Sequence, residues 1–134
     1  EKLQKAEKEG CIRLLPFDPD VHGYLAKASA LVLPSYHEGM SNVLMEASAT
    51  GRPVITTIVS GCKEVFEEGV TGFGCRKEDS EDLIRALEKF HALSLEKRAE
   101  MGRKAREKME REFDREKVAD AYLQEINTIL EKRG

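Results

Sequence analysis

The sequence predicts an α/β protein: a partial, Rossmann-like parallel sheet followed by C-terminal helices. Short apolar runs at residues 31–33 and 54–57 are typical of buried parallel strands. A helical stretch separates the two runs, and strands that alternate with helices indicate a parallel sheet. After residue 79 the pattern becomes purely helical, which predicts helices that follow the sheet.

The first elements are defined by apolar runs and by the residues that stop them. Residues 1–10 are the predicted end of a charged helix. Residues 11–15 form a predicted strand, which Pro16 ends. The acidic turn at residues 18–20 is a suitable N-cap for a helix over residues 21–28.

The central helix is predicted from its two ends. It begins near Ser41 or Asn42 and runs to about Thr50. Gly51 suits the position just after a helix, and Pro53 prevents the helix from continuing. The predicted helix therefore connects the two apolar strands, as in a parallel crossover.

The second half of the chain is predicted to contain a short helix at residues 62–68, a strand at residues 72–75 and three further helices. Ser94 and Asp114 are suitable N-caps for the last two. The apolar residues predicted on the faces of these helices are Leu83, Ile84, Leu87 and Phe90, then Ala99, Met101, Ala105 and Met109, then Val118, Tyr122, Ile126, Ile129 and Leu130.

Length and composition exclude several classes of protein. The 134 residues, 40% of them hydrophobic, suit one domain with one core. A net charge of −3 argues against nucleic acid as the main partner. No apolar run approaches the roughly 20 residues that span a bilayer, and no signal peptide is recognisable. Cys11, Cys62 and Cys75 lack CxxC spacing, so we expect free, buried thiols and a cytoplasmic location.

Residues 38–46 contain the strongest chemical signal. Glu38 lies in a predicted loop and Glu46 about one turn inside the following helix. The N–H groups of a helix N-terminus attract phosphate and sugar oxygens, while carboxylates accept hydrogen bonds from vicinal hydroxyls. These residues suit a nucleotide-sugar. The alternative is a surface acid followed by an acid that only favours the helix dipole.

Two other sets of polar residues have structural alternatives. His37 precedes Glu38 and would reach a donor phosphate or sugar, or else be an exposed loop histidine. The acidic pair at residues 18–20 contains a proline before a helix, so a turn and a cap are favoured over a metal site. We expect no metal and no cofactor.

An ordered series of motifs resembles the C-terminal, donor-binding domain of retaining glycosyltransferases of the GT-B fold. The closest type is the bacterial group 1, or family 4, type, in which two glutamates are separated by seven residues, as Glu38 and Glu46 are here. The resemblance covers residues 12–130. The motifs are Leu33-Pro34-Ser35-x-x-Glu38-Gly39, Glu46-Ala47, Gly51-x-Pro53-Val54-Ile55, Glu64-Val65 and Gly69-x-Thr71-Gly72.

The resemblance implies a role for each residue of the segment. Glu38 would be the catalytic residue, lying against the transferred sugar, and Glu46 would bind the ribose hydroxyls. The family transfers sugar with retention and needs no obligatory metal. The other donor-binding residues implied are Gly39, Met40, Ser41 and Asn42, through backbone N–H groups, with Val43 and Leu44 lining the same pocket.

The resemblance also implies that residues 1–134 are a partial donor-binding domain, containing strands 3 to 6. The first two strand–helix units, with an Arg and a Lys that hold the diphosphate, and the N-terminal acceptor domain would be absent. Ser60-Gly61 replaces the family's usual pair of glycines. We expect a larger parent enzyme and no sugar transfer by this chain alone. The alternative function is a non-catalytic remnant that binds a nucleotide or a partner protein.

The implied partners are the nucleotide-sugar and, in the parent, a carbohydrate or lipid-linked acceptor. A lipid-linked acceptor would place the parent at the inner membrane face. In the strand order 3-2-1-4-5-6, residues 11–15 would be strand 3, and the strands beside residues 31–33 would be missing. An unpaired apolar edge invites pairing. For the isolated chain we therefore expect either a homodimer through residues 31–33 or pairing of residues 11–15 beside them. If the chain is cut from a larger protein, that protein's own strands should fill the gap.

Overall fold

A computed structural model describes residues 2–16, 21–34, 41–113, 123–124 and 126–132. Residues 126–132 are helical. In chain order the elements are α1 (Lys2–Lys8), α2 (His22–Lys27), β1 (Leu31–Leu33), α3 (Asn42–Ala49), β2 (Val54–Thr57), β3 (Gly72–Cys75), α4 (Ser80–His91) and α5 (Leu95–Glu112).

The three strands form one parallel sheet in the order β1-β2-β3. Val54 of β2 lies opposite Leu31 on one side and Gly72 on the other. The crossover from β1 to β2 contains α3, whereas residues 58–71, between β2 and β3, form turns. The predicted α/β class, with a parallel sheet followed by helices, is confirmed.

Burial differs between the central strand and its neighbour. All four residues of β2 are buried, as expected of a strand covered on both faces. β1 lies at an edge of the sheet, and Val32 is 40% exposed. β1 is therefore less buried than its apolar run indicates. Its outer edge is unpaired among the described residues, as expected if the strands beside it are missing.

Neighbouring residues of β2 contribute to two different hydrophobic clusters, because successive side chains of a strand point to opposite faces. Val54 belongs to the cluster that includes α2 and α3, and Ile55 to the cluster under α4. α5 contributes to both, through Met109 and Met101. The first cluster contains Leu25, Leu44, Ala47, Val54, Cys62, Val65, Phe66 and Met109, and the second Ile55, Phe73, Cys75, Ala86, Phe90 and Met101.

α3 and α5 approach closely at two glycines. Gly51 follows α3 with a φ of +83°, a conformation that favours glycine. A Cβ atom on Gly102 of α5 would overlap the carbonyl oxygen of Gly51. The two helices therefore touch through their backbones, and α5 supports the C-terminal end of α3.

Two predicted elements are absent from the described chain. Residues 11–15 are not a strand and pair with no described strand, because no other strand is placed beside them. Their apolar side chains Ile12, Leu14 and Leu15 are exposed. The expectation that this segment pairs beside β1 is therefore wrong, while the homodimer stays a prediction.

The predicted helix at residues 62–68 is replaced by turns. The N–H groups of Cys62 and Lys63 both donate to the Val59 carbonyl oxygen, at 3.0 Å. The N–H of Glu67 then donates to the Thr71 hydroxyl, at 2.8 Å. This side-chain bond competes with a helical bond, so the turns do not extend into a helix.

The predicted start of α5 is confirmed, whereas several residues predicted on the apolar faces of α4 and α5 are exposed. Ser94 caps α5 by accepting from the Lys97 N–H. α4 buries Ala86 and Phe90, whereas Ile84 and Leu87 are exposed. Ala99 of α5 is exposed. The predicted cap at Asp114, together with Val118 and Tyr122, and the acidic turn at residues 18–20 lie outside the described residues.

Candidate functional site

The site is organised around the N-terminus of α3. Ser41 is the N-cap, and its hydroxyl accepts a hydrogen bond from the Leu44 N–H at 3.4 Å. Ser41 is buried, at 3% exposure. α3 is the helix that follows β1, and ligands of open α/β sheets bind outside the carboxyl ends of the strands. The predicted helix start at Ser41 or Asn42 is confirmed.

The backbone of Ser41 is held by the loop after β2. The Ser41 N–H donates to the Gly61 carbonyl oxygen at 3.1 Å. The Gly61 N–H in turn donates to the Glu64 carboxylate at 2.8 Å. The N–H of Ser41 is thus used within the protein, whereas those of Asn42 and Val43 donate to no acceptor among the described residues. A contact between Ser41 and a ligand stays a prediction.

Glu46 lies on the side of α3 that faces away from the core. It is four residues after Asn42, so the two side chains share one helix face. Asn42 is exposed and Glu46 half-buried. Within the described part of the chain, Glu46 forms no ion pair. Its carboxylate is therefore available to accept hydrogen bonds.

Val43 and Leu44 differ in their exposure. Val43 is half-buried. Leu44 is fully buried and belongs to the cluster of Leu25 and Val54. Its side chain therefore supports α3 from the core, and the role of Leu44 in lining a donor pocket stays a prediction. The predicted residues His37, Glu38, Gly39 and Met40 lie outside the described residues.

A cleft of about 500 Å³ opens where the three strands end. Arg76, just after β3, pairs with Asp79 at 3.3 Å and with Asp82 at 3.7 Å. The Arg76 N–H, which donates to Asp82, is the main group that lowers the pKa of that carboxyl. The residues that line the cleft are Pro34, Thr57, Cys75, Arg76, Glu78, Asp79, Ser80 and Leu83.

Cys75 is the one cysteine among the described residues that line this cleft. Burial is the largest cause of the raised pKa of the Cys75 thiol, and the Asp82 carboxylate raises it further. A protonated, buried thiol is a poor nucleophile. All three cysteines are free, as predicted, but Cys11 is exposed. The expectation that each is buried is wrong for Cys11, because it lies in the open segment after α1.

Metal-binding groups and membrane-spanning helices are both absent from the described residues. No group of three His, Cys, Asp or Glu side chains is placed to hold a metal ion in these residues. None of the helices that the structure describes is long and apolar enough to cross a membrane.

Sequence reasoning missed the connection from Glu64 through Gly61 to Ser41. Glu64 stands out in the sequence only as part of a motif, and Ser41, to which Gly61 connects it, is far from it in the sequence. The one local signal in the sequence was the glycine at position 61. The structure explains it, because the φ of +89° at Gly61 favours glycine. The site therefore includes a loop support that spacing alone does not indicate.

Known protein sequences match most of this chain. A family model described as "Glycosyl transferases group 1" matches residues 1–108. The lipopolysaccharide core biosynthesis glycosyltransferase LpsE of Rhizobium meliloti (strain 1021) is 31% identical over 115 residues, 86% of this chain and 34% of that protein. A glycogen synthase of Mycobacterium tuberculosis (strain CDC 1551 / Oshkosh) is 34% identical over 112 residues, 82% of this chain and 26% of that protein.

Solved structures share the fold. Anabaena Alr3699/HepE in complex with UDP superposes with a TM-score of 0.79 and 21% identity, covering 95% of this chain and 36% of that chain. A glycosyltransferase from Rickettsia africae ESF-5 gives a TM-score of 0.82 and 18% identity, covering 96% of this chain and 34% of that chain. This chain thus spans about a third of LpsE and of HepE. The predicted GT-B type of α/β fold is confirmed.

Proposed function

Because the chain belongs to the group 1 family of glycosyl transferases, we propose that it forms part of the site that binds a nucleotide-sugar donor. The parent would be a retaining glycosyltransferase that needs no metal. In this proposal the N-terminus of α3 receives the phosphate and sugar oxygens, and Glu46 accepts hydrogen bonds from the ribose hydroxyls.

The observation that carries the proposal is the position of Glu46 on α3. The carboxylate is half-buried and has no ion-pair partner in the described residues, although cations are plentiful on this chain. It shares a helix face with Asn42, whose N–H lies in the first turn of α3. A diol on Glu46 would therefore place its attached phosphate near that N-terminus, where the helix dipole favours negative charge.

The comparisons support the choice of ligand. HepE has been crystallised with UDP and with UDP-glucose. Glu38, the first glutamate of the family motif, is proposed as the catalytic residue that lies against the transferred sugar. Gly39 and Met40 would add N–H donors, and His37 is a further candidate for contact with phosphate or sugar.

Nucleotide binding tests the proposal directly. UDP would be titrated into the full-length protein and into its Glu46→Gln variant by calorimetry. Hydrogen bonds to charged groups contribute roughly 1.5–3 kcal/mol, so we expect Kd to rise about tenfold or more in the variant. Glu88→Gln is the matched control, because Glu88 is an exposed glutamate of α4. Equal affinity of wild type and Glu46→Gln would contradict the proposal.

The reaction itself needs separate measurements. Proton NMR of the product would show whether the anomeric configuration of the donor is retained, and assays with EDTA would show whether transfer continues without metal. Nucleotide binding by the full-length protein without transfer to any carbohydrate or lipid-linked acceptor would favour the alternative, a binding module without turnover. A cytoplasmic location and a peripheral position at the membrane stay predictions.

A further inference from the structure

Glu64 is a charged residue that has no role in the proposed function described above. It lies in the turns after β2, where its side chain is exposed. Its carboxylate nevertheless has a defined partner, since Oε2 accepts a hydrogen bond from the Gly61 N–H at 2.8 Å. Such a bond to an ionised acceptor is stronger than one between neutral groups.

Gly61 passes this constraint to α3. Its N–H donates to Glu64 and its carbonyl oxygen accepts from the Ser41 N–H at 3.1 Å. Both polar groups of Gly61 are therefore occupied, and its φ of +89° is one that other residues rarely adopt. The glycine thus joins the Glu64 carboxylate to the N-cap of α3.

The turn that carries Glu64 is anchored in the core. Cys62 and Val65, which flank it, are fully buried. The Val65 N–H donates to the Cys62 carbonyl oxygen at 3.0 Å. Glu64 therefore projects from a backbone that buried neighbours hold on both sides.

We propose that Glu64 is a positioning residue of the donor site, which through Gly61 fixes the place where α3 begins. The inference rests on the proposed function. The N–H groups of Asn42 and Val43 lie in the first turn of α3, so their direction depends on the orientation of Ser41. Glu64 acts through the backbone of Ser41 and does not itself touch the ligand.

Hydrogen exchange tests the connection without a ligand. Exchange of the Ser41 and Gly61 amides would be measured by NMR in the full-length protein and in Glu64→Ala, Glu64→Gln and Lys63→Ala. In Glu64→Ala we expect these amides to exchange roughly tenfold faster, the factor set by one charge-assisted bond. Glu64→Gln retains an acceptor oxygen but not its charge, so its rates should lie between those of wild type and Glu64→Ala.

The controls separate local from global effects. Amides of β2 should exchange at the wild-type rate in every variant, and so should Ser41 in Lys63→Ala, which alters an exposed neighbour. Unchanged Ser41 exchange in Glu64→Ala would overturn the inference. Equal acceleration in Glu64→Gln and Glu64→Ala would also overturn it, because the acceptor oxygen would then not be the cause.

Titration with UDP separates this inference from the proposed function. We expect Glu64→Ala to raise the Kd for UDP about tenfold while uridine, which lacks phosphate, binds as to wild type. Failure of the wild type to bind UDP would overturn the proposed function, while faster Ser41 exchange in Glu64→Ala would still support the connection. Faster exchange with unchanged UDP affinity would overturn the positioning role.

Discussion

Gly72 begins β3 at a point where the neighbouring strand leaves no room for a side chain. A Cβ atom on Gly72 would overlap the carbonyl oxygen of Val54, the residue opposite it on β2. Gly23, in α2, has the opposite environment, with no atom within 4 Å of such a Cβ. The two glycines therefore respond differently to the same added methyl group.

Gly72→Ala should lower the free energy of unfolding by roughly 1–3 kcal/mol, because overpacking forces the backbones apart. Gly23→Ala, the control, should raise it by up to about 1 kcal/mol, since alanine favours a helix. Urea unfolding followed by circular dichroism measures both changes. Equal stability of Gly72→Ala and wild type would contradict the packing argument.

A substitution at Glu38 tests its proposed catalytic role. If it accepts from the transferred sugar, Glu38→Ala should lower kcat by roughly 10- to 100-fold, the equivalent of one charged hydrogen bond. The KM for the donor should change less, because Glu46 would still hold the ribose. Steady-state kinetics of the full-length protein give both constants. Near-normal kcat in Glu38→Ala would exclude the proposed catalytic role.

Helix N-termini were the local features that the sequence predicted best. Ser41 and Ser94 each accept from the N–H three residues later, a local interaction that depends on residue type and spacing. The link from Glu64 through Gly61 to Ser41 could not be predicted in this way. It joins two segments that meet only once the sheet has formed.

Among the elements, α5 carries an ion cluster next to the loop before β3. Lys108 is buried and its ammonium lies 2.7 Å from Glu112 and 3.6 Å from Glu67. Arg111 adds contacts to the same two carboxylates. The hydrogen bond from Lys108 is the main cause that lowers the pKa of Glu112 below its ordinary value of 4.5.

A lowered pKa in the folded state makes this cluster sensitive to acid. The stabilising effect of Glu112 is complete above its ordinary pKa and is lost as pH falls through the lower folded value. Between about pH 5 and about pH 3, wild type should therefore lose more stability than Glu112→Gln. Urea unfolding at each pH measures this difference, with Glu88→Gln as control. Parallel losses in wild type and Glu112→Gln would contradict it.

The two predicted elements that failed did so for different reasons. Residues 11–15 have an apolar pattern suited to a strand, but a strand needs a neighbour to accept its hydrogen bonds. Residues 62–68 have helical propensity, yet Thr71 captures the N–H of Glu67. Leu31–Leu33, Val54–Thr57 and the last short strand were predictable, because apolar runs bounded by turn residues are a local signal.

For the molecule as a whole, the edge of β1 is the most consequential surface. Leu31 donates its N–H toward β2, to the Pro53 carbonyl oxygen. Val32, the next residue, therefore directs its backbone groups to the other side, where no described strand lies. Its side chain is also partly exposed. This edge is open to pairing with another chain.

The 134-residue chain is therefore expected to form a homodimer through β1. Val32→Lys should shift the dimer toward monomer, because a charge on an edge strand opposes pairing. Sedimentation equilibrium measures the association state, and Val70→Lys, at an exposed valine in the turns before β3, is the control. A wild-type chain that sediments as a monomer at every concentration tested would refute the expectation.

The contact between Gly51 and Gly102 has a mechanical consequence. Gly102 has no space even for a methyl group next to the Gly51 carbonyl oxygen, so α3 cannot move closer to α5 at this point. α5 also contributes to the hydrophobic clusters on both faces of the sheet, through Met109 and Met101. The contact between the two glycines would thus couple the position of the C-terminal end of α3 to the packing on both faces of the sheet.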